Sequence, residues 1–180
     1  MKGIIFTEFM GLVEQNWGMD MVDDLIEAVN PPSGGAYTSV ATYDSQELMG
    51  YVKELHSRTG IEVKNLVHTF GIFLAASFVD KFPDFFSQSK STFDVLKQVD
   101  NHIHVEVRKL YPDAELPKFS YEELGPNKLL LKYESVRALA DLAHGLIEGC
   151  ARQFGESIDV RRESSVVDGV AHEDFFLTLH

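Results

Sequence analysis

Residues 132–149 read KYESVRALADLAHGLIEG, and this stretch decides how the rest of the chain is interpreted. It begins with Tyr133, Ser135 and Arg137 at two-residue spacing, which places the three side chains on one face of an extended segment. Apolar residues then recur at helical three- and four-residue steps, namely Leu139, Leu142, Leu146 and Ile147. The pattern therefore predicts a group of polar side chains at the point where a strand becomes a helix.

Two hydroxyl groups beside one guanidinium suit a pair of carboxylates, because arginine presents a planar fork that binds them bidentately. A simpler interpretation stays open at this point. Tyr133 would end a strand, Ser135 would cap a helix N-terminus, and Arg137 would lie on the surface. The spacing alone does not separate the two interpretations.

A second segment, residues 100–112 with the sequence DNHIHVEVRKLYP, contains two histidines before a proline that stops a helix. We predict that the helix spans residues 92–110, with an apolar stripe of Leu96, Val99, Ile103, Val107 and Leu110. At about 100° per residue, His102 and His104 flank this stripe on opposite sides. Periodicity therefore does not choose between the two histidines.

Together, the two segments resemble the haem nitric oxide/oxygen-binding (H-NOX) domain family, which includes the haem domain of soluble guanylate cyclase. The family hallmark Tyr-x-Ser-x-Arg is present as Tyr133, Ser135 and Arg137, and the resemblance implies that these residues bind the propionates of haem b. The iron-binding histidine of the family lies seven residues before a Tyr-Pro-type break, which corresponds to His104. A proline that presses on the haem corresponds to Pro117.

The resemblance covers essentially the whole chain, from the start MKGII at residues 1–5 to GLIEG at residues 145–149. It assigns no role to three further histidines, His68, His144 and His172. The single cysteine, Cys150, excludes the cysteine-rich zinc site found near the C-terminus of some bacterial relatives.

The resemblance also indicates which gas would bind. Oxygen-binding relatives carry a tyrosine five residues after the motif arginine, where this chain has Leu142, and their supporting polar residues are replaced by Leu74 and Phe9. Ile5 and Phe78 are further candidates for the same apolar wall. Dioxygen gains partial negative charge at haem iron and is stabilised by a hydrogen-bond donor, which nitric oxide (NO) needs much less. We therefore expect NO and CO to bind and oxygen to be excluded, although each of these apolar residues also suits an ordinary core.

NO weakens the iron bond opposite to it, so its binding is expected to release His104 and the 92–110 helix. The chain shows no kinase, cyclase or nucleotide-binding pattern, and we expect no enzymatic activity. The signal would then pass to a separate partner, which the resemblance suggests is a sensor histidine kinase or a cyclic-di-GMP synthase or phosphodiesterase. The alternative is an oxygen-binding or haem-storage protein without a signalling partner.

Composition fits a single domain with a large apolar interior, since 44% of the 180 residues are hydrophobic and thirteen are Phe. A net charge of −12 argues against nucleic acid and anionic membranes as partners. No apolar run approaches the roughly 20 residues of a membrane span, and no export leader is recognisable. We therefore expect a cytoplasmic location.

The chain in order predicts an α+β fold. Helices are expected at 4–17, 19–29, 44–59, 61–78, 92–110 and 136–154, with Asp44 and Glu47 as a capping box for the third. Strands are expected at 118–122, 128–134, 158–161 and 175–179. This order predicts a helical subdomain over 1–60, and over 61–180 helices packed on a four-stranded antiparallel sheet. The resemblance implies that haem lies buried between them.

Overall fold

A computed structural model describes residues 1–137 and 139–180. The helices are α1 (Gly3–Trp17), α2 (Met19–Val29), α3 (Ser45–Thr59), α4 (Val63–Lys81), α5 (Thr92–Gln98), α6 (His104–Leu110) and α7 (Ala140–Phe154). The strands are β1 (Lys118–Gly125), β2 (Lys128–Ser135), β3 (Ile158–Val167) and β4 (Val170–Leu179). The predicted α+β class is confirmed. None of the helices in these described ranges has the length and apolar content needed to cross a bilayer.

The sheet is antiparallel throughout, with strand order β1-β2-β4-β3. The central strand β2 alternates its side chains, and it buries Leu129, Leu131 and Tyr133 on one face. Phe175 and Leu177 of β4 lie beside them, and α5 and α7 complete this core. The sheet with helices on one face is thus the one that the sequence predicts.

A second core joins α1, α2, α3 and α4. Helix α7 touches both cores, because Leu142 and Leu146 pack against the helical one and Ala143 and Ile147 against the sheet. The residues that form the cavity described below come from the region where these two cores meet.

The start of α3 differs in detail from the predicted capping box. Asp44 does cap the helix, since its carboxylate accepts a hydrogen bond from the backbone N–H of Gln46. The Glu47 carboxylate, however, accepts hydrogen bonds from Ser33 and Tyr37. It therefore ties the 31–37 loop to α3.

The bounds of the predicted helix over 92–110 are confirmed, but the helix is not α-helical throughout. A π-helical turn, Val99–Ile103, separates α5 from α6, and the backbone N–H of His104 donates to the carbonyl of Val99, five residues earlier. One extra residue in a turn rotates everything after it by about 100°. His104 is consequently buried at 9% exposure, whereas His102 is exposed. The π turn therefore distinguishes the two histidines, which periodicity alone did not.

The last helix begins later than predicted, at Ala140 instead of residue 136. Ser135 is the final residue of β2, and its hydroxyl accepts a hydrogen bond from the backbone N–H of Arg137 in the following turn. The alternative role of Ser135 as a helix N-cap is therefore wrong. Ala138, which falls within the predicted helix, lies outside the described residues.

Candidate functional site

A cavity of about 680 Å³ lies where the two cores meet. Its volume is within the range of roughly 300–1,000 Å³ that is usual for small-molecule and cofactor sites. Nine of the ten side chains that the sequence analysis selected line it, namely Ile5, Leu74, Phe78, His104, Pro117, Tyr133, Ser135, Arg137 and Leu142. The structure therefore brings together residues that are far apart in sequence.

Phe9 is the exception among the selected residues. It is fully buried in the helical core, where its ring packs edge-on against Phe70 at 5.3 Å between centroids. It is absent from the lining of the cavity in the described part of the chain. Phe9 therefore supports the wall without facing the site.

His104 is the first residue of α6 and stands in the cavity wall. Its Nδ1 lies 3.4 Å from an Asp100 carboxylate oxygen, which also accepts a hydrogen bond from the backbone N–H of Phe119 at 3.2 Å. Burial lowers the pKa of the His104 imidazole, while Asp100 acts in the opposite direction. A neutral imidazole with one nitrogen braced by a carboxylate is the form that binds metal ions.

The polar end of the cavity is formed by the Tyr-x-Ser-x-Arg residues. The Tyr133 hydroxyl accepts a hydrogen bond from the backbone N–H of Leu139 at 3.1 Å, which ties the end of β2 to the start of α7. Arg137 donates to the Glu115 carbonyl at 2.7 Å and also pairs with the Glu115 carboxylate. The arginine fork thus already binds a carboxylate here, and Glu115 is largely exposed.

The cavity wall formed by α4, α7 and the start of α1 is apolar. Leu74 and Phe78 of α4 and Leu142 of α7 face the cavity, together with Ile5 near the start of α1. Among the described residues, the only polar group that α4 or α7 adds to the lining is the thiol of Cys150. Burial raises the pKa of this thiol to about 12, so it stays protonated at neutral pH.

Sequence reasoning missed two of the residues that shape the site, Asp100 and Glu115. Asp100 lies four residues before His104, and this spacing places two side chains on one helical face, so the pair was open to prediction. Glu115 lies in the segment between α6 and β1, where no periodic pattern indicates which backbone or side-chain groups will meet Arg137.

The residues present fit a haem. A macrocycle that is flat and apolar, with two carboxylates at one edge, needs an apolar slot, a cationic and hydroxyl-rich end, and an axial ligand. The cavity offers each of these through its apolar walls, the group of Tyr133, Ser135 and Arg137, and the buried neutral imidazole of His104.

The comparison with protein families matches residues 2–162 to the haem-NO-binding family. No protein with a curated description matches the chain. Among solved structures, an unliganded Fe(II) H-NOX protein from K. algicida is 37% identical, with a TM-score of 0.91 over 100% of this chain and 97% of that one. An H-NOX protein from S. oneidensis in the Fe(II)NO ligation state is 28% identical, with a TM-score of 0.92 over 100% and 99%.

A third solved structure, the I5F mutant of T. tengcongensis H-NOX, is 23% identical with a TM-score of 0.90 over 99% of this chain and 97% of that one. At this identity the likeness shows the fold alone. The arrangement of helices on a four-stranded sheet is therefore shared even where the sequences have diverged widely.

Proposed function

We propose a function for this chain from one premise: it belongs to the haem-NO-binding family, the H-NOX domains, which are haem-based gas sensors. On this proposal the whole chain is one sensor domain, with a helical part over 1–60 and an α+β part over 61–180. It binds NO and CO at a five-coordinate ferrous haem b, excludes oxygen, and regulates a separate signalling protein. One observation carries the proposal: a braced imidazole and an apolar, donor-poor wall line the same cavity.

His104 would hold the iron through its Nε2, since its Nδ1 faces Asp100. Tyr133, Ser135 and Arg137 would bind the propionates, which would compete with Glu115 for the arginine fork. Pro117 lines the cavity as well and would press against the macrocycle. The haem, when bound, supplies the open coordination position at which a gas binds.

The gas preference would follow from the wall formed by α4 and α7. Leu74, Phe78 and Leu142 offer no hydrogen-bond donor, and the Cys150 thiol is a weak one. Oxygen depends on such a donor far more than NO does, so this wall favours NO over oxygen. CO, which also needs no donor, would be retained.

The signal would pass through the irregular helix that carries His104. Asp100 contacts His104 on one side and the backbone of β1 on the other, so it links the imidazole to the sheet. Val105, the next residue of α6, is 39% exposed. Release of His104 would therefore allow α6 to move relative to β1 and change an exposed surface, which is the two-state element that a sensor requires.

The partner on this proposal is a sensor histidine kinase or a cyclic-di-GMP synthase or phosphodiesterase that binds in trans. The chain would not itself be a catalyst. A partner must respond differently to the NO-loaded and NO-free forms, since a ligand shifts a conformational equilibrium only by its differential affinity for the two states.

The absorption spectrum of the purified, chemically reduced protein tests the proposal. We expect a five-coordinate ferrous spectrum that is unchanged on brief exposure to air and is converted by stoichiometric NO or by CO. An oxygen-binding or haem-storage protein is the second candidate, and a stable oxy spectrum in air would favour it and contradict the NO-selective sensor.

A further inference from the structure

We propose that His68, His144 and Glu148 form a second metal site, which takes a zinc ion and is separate from the haem cavity. His144 and Glu148 lie one turn apart on α7, and His68 projects from α4. At about 100° per residue, His144 is some 200° around α7 from Leu142, which faces the cavity. The proposed site therefore lies on the other side of α7 and does not depend on the proposed gas-sensing function.

The two histidine–glutamate distances match those between ligands that share one zinc ion. The Nε2 atoms of His68 and His144 lie 3.4 Å and 3.1 Å from the two carboxylate oxygens of Glu148. One ligand atom from each residue can be chosen so that all three lie within 4.8 Å of one another. Zinc bonds of about 2.0–2.2 Å in a tetrahedral arrangement place neighbouring ligand atoms about 3.3 Å apart.

One nitrogen of each imidazole at the site, Nε2, lacks a hydrogen bond. The Nε2 atoms of His68 and His144 are buried, and neither has a hydrogen-bond partner among the described residues. They are close to Glu148, but these contacts are not aligned as hydrogen bonds. A buried polar nitrogen without a partner is costly, so two such atoms beside one carboxylate point to a ligand that all three share.

The close packing of α4 on α7 fixes the three residues in place. A Cβ at Gly145 would lie 2.0 Å from the carbonyl oxygen of His68, and a Cβ at Gly71 would lie 2.4 Å from the carbonyl oxygen of Leu142. Only glycine permits this approach of the two backbones. As a result the His68 and His144 rings are 4.7 Å apart between centroids, at the helix contact itself.

The charges around the site leave its ligands available. The nearby cation, Arg162 of β3, is already paired at 2.6 Å with both Asp141 and Glu173. Glu148 is thus the carboxylate that remains to balance the charge of an ion.

Two imidazoles and one carboxylate are a donor set that zinc uses with a fourth position open to water. The three side chains are 20–29% exposed, so the site lies near the surface although both Nε2 atoms are buried. Softer metals that prefer sulfur are disfavoured, because none of the three ligands supplies a thiolate.

The experiment is a calorimetric titration of the haem-loaded protein with zinc chloride. We expect one saturable equivalent, and at least tenfold weaker binding in each of His68→Gln, His144→Gln and Glu148→Gln. The matched control is His56→Gln on α3, an exposed histidine that lies outside the cluster, and its zinc affinity should equal that of the unaltered protein. The haem spectrum of every variant should stay unchanged, which shows that the fold and the haem cavity are intact.

Two results would overturn the proposal. One is the absence of saturable zinc binding to the unaltered, haem-loaded protein. The other is zinc binding that persists at full affinity in both His144→Gln and Glu148→Gln. Since Glu148→Gln preserves the size of a half-buried side chain, it keeps the test decisive if a histidine variant fails to fold.

Discussion

The two sides of the cavity differ in how their helices are built. On one side, α5 and α6 are short, joined by a π turn, and tied to β1 through Asp100. On the other, α4 and α7 run for 19 and 15 residues and pack at glycine contacts. The irregular side holds His104, the proposed iron ligand, whereas the regular side is apolar. We infer that a sensor of this kind separates the element that signals from the wall that selects the ligand.

Loss of the His104 imidazole should have the largest effect, because it removes the polar residue that distinguishes the irregular side of the cavity. His104→Gly should remove the proposed axial ligand, and haem should then be retained only when free imidazole takes its place. Absorption spectra with and without imidazole measure this. His102→Gly is the control, because His102 is exposed, and we expect its spectrum to match that of the unaltered protein. Equal haem loss in both variants would refute the assignment of His104.

Arg137→Gln should have the next largest effect, since it removes the charge-assisted bonds proposed for a propionate. Such bonds are worth about 1.5–3 kcal/mol when fully made, and partial exposure reduces this, so we expect haem transfer to an excess of apomyoglobin to be about tenfold faster. Arg161→Gln, on an exposed part of β3, should transfer haem at the unaltered rate. An unchanged rate of haem transfer in Arg137→Gln would rule out propionate binding by Arg137.

Leu142→Tyr places a hydroxyl donor on the apolar wall and so tests ligand selection directly. We expect a measurable oxy fraction in air, with NO binding retained. Leu142→Phe is the matched control, because it adds a ring of similar size without the hydroxyl, and it should remain without an oxy spectrum. If both variants bind oxygen equally, space and not the donor governs the preference.

Asp100→Asn should give the smallest effect. The amide oxygen can still accept from the Phe119 N–H, but the negative charge beside the His104 Nδ1 is lost. A less basic imidazole should bind iron more weakly, so the iron–histidine stretching band in resonance Raman spectra should move to lower frequency. A band at the unaltered position would show that Asp100 braces only the backbone.

Much of the fold follows from local patterns in the sequence. The helices α1 and α2 and the pairing of β3 with β4 have clear apolar periods and glycine or Asp-Gly breaks. The π turn at Val99–Ile103 does not, because one inserted residue changes the backbone hydrogen bonds without changing the composition of the helix. The first residue of α7 was also not predictable from the sequence, since Leu139 continues the apolar period before the helix begins at Ala140.

The lining of the candidate site was predictable where a residue belongs to a recognisable motif. Tyr133, Ser135 and Arg137 share such a motif, and all three line the cavity. Contacts made by segments distant in sequence were not predictable, as Glu115 and Arg137 show. Phe9 illustrates the opposite error, because an apolar residue near the wall can equally belong to the core behind it.

Resonance Raman spectroscopy of the unaltered ferrous protein, before and after stoichiometric NO, decides whether NO releases His104 from iron. We predict an iron–histidine band in the reduced protein, lost from His104→Gly, and its disappearance when NO binds. An iron–histidine band that persists unchanged in the NO complex would contradict signalling through release of His104.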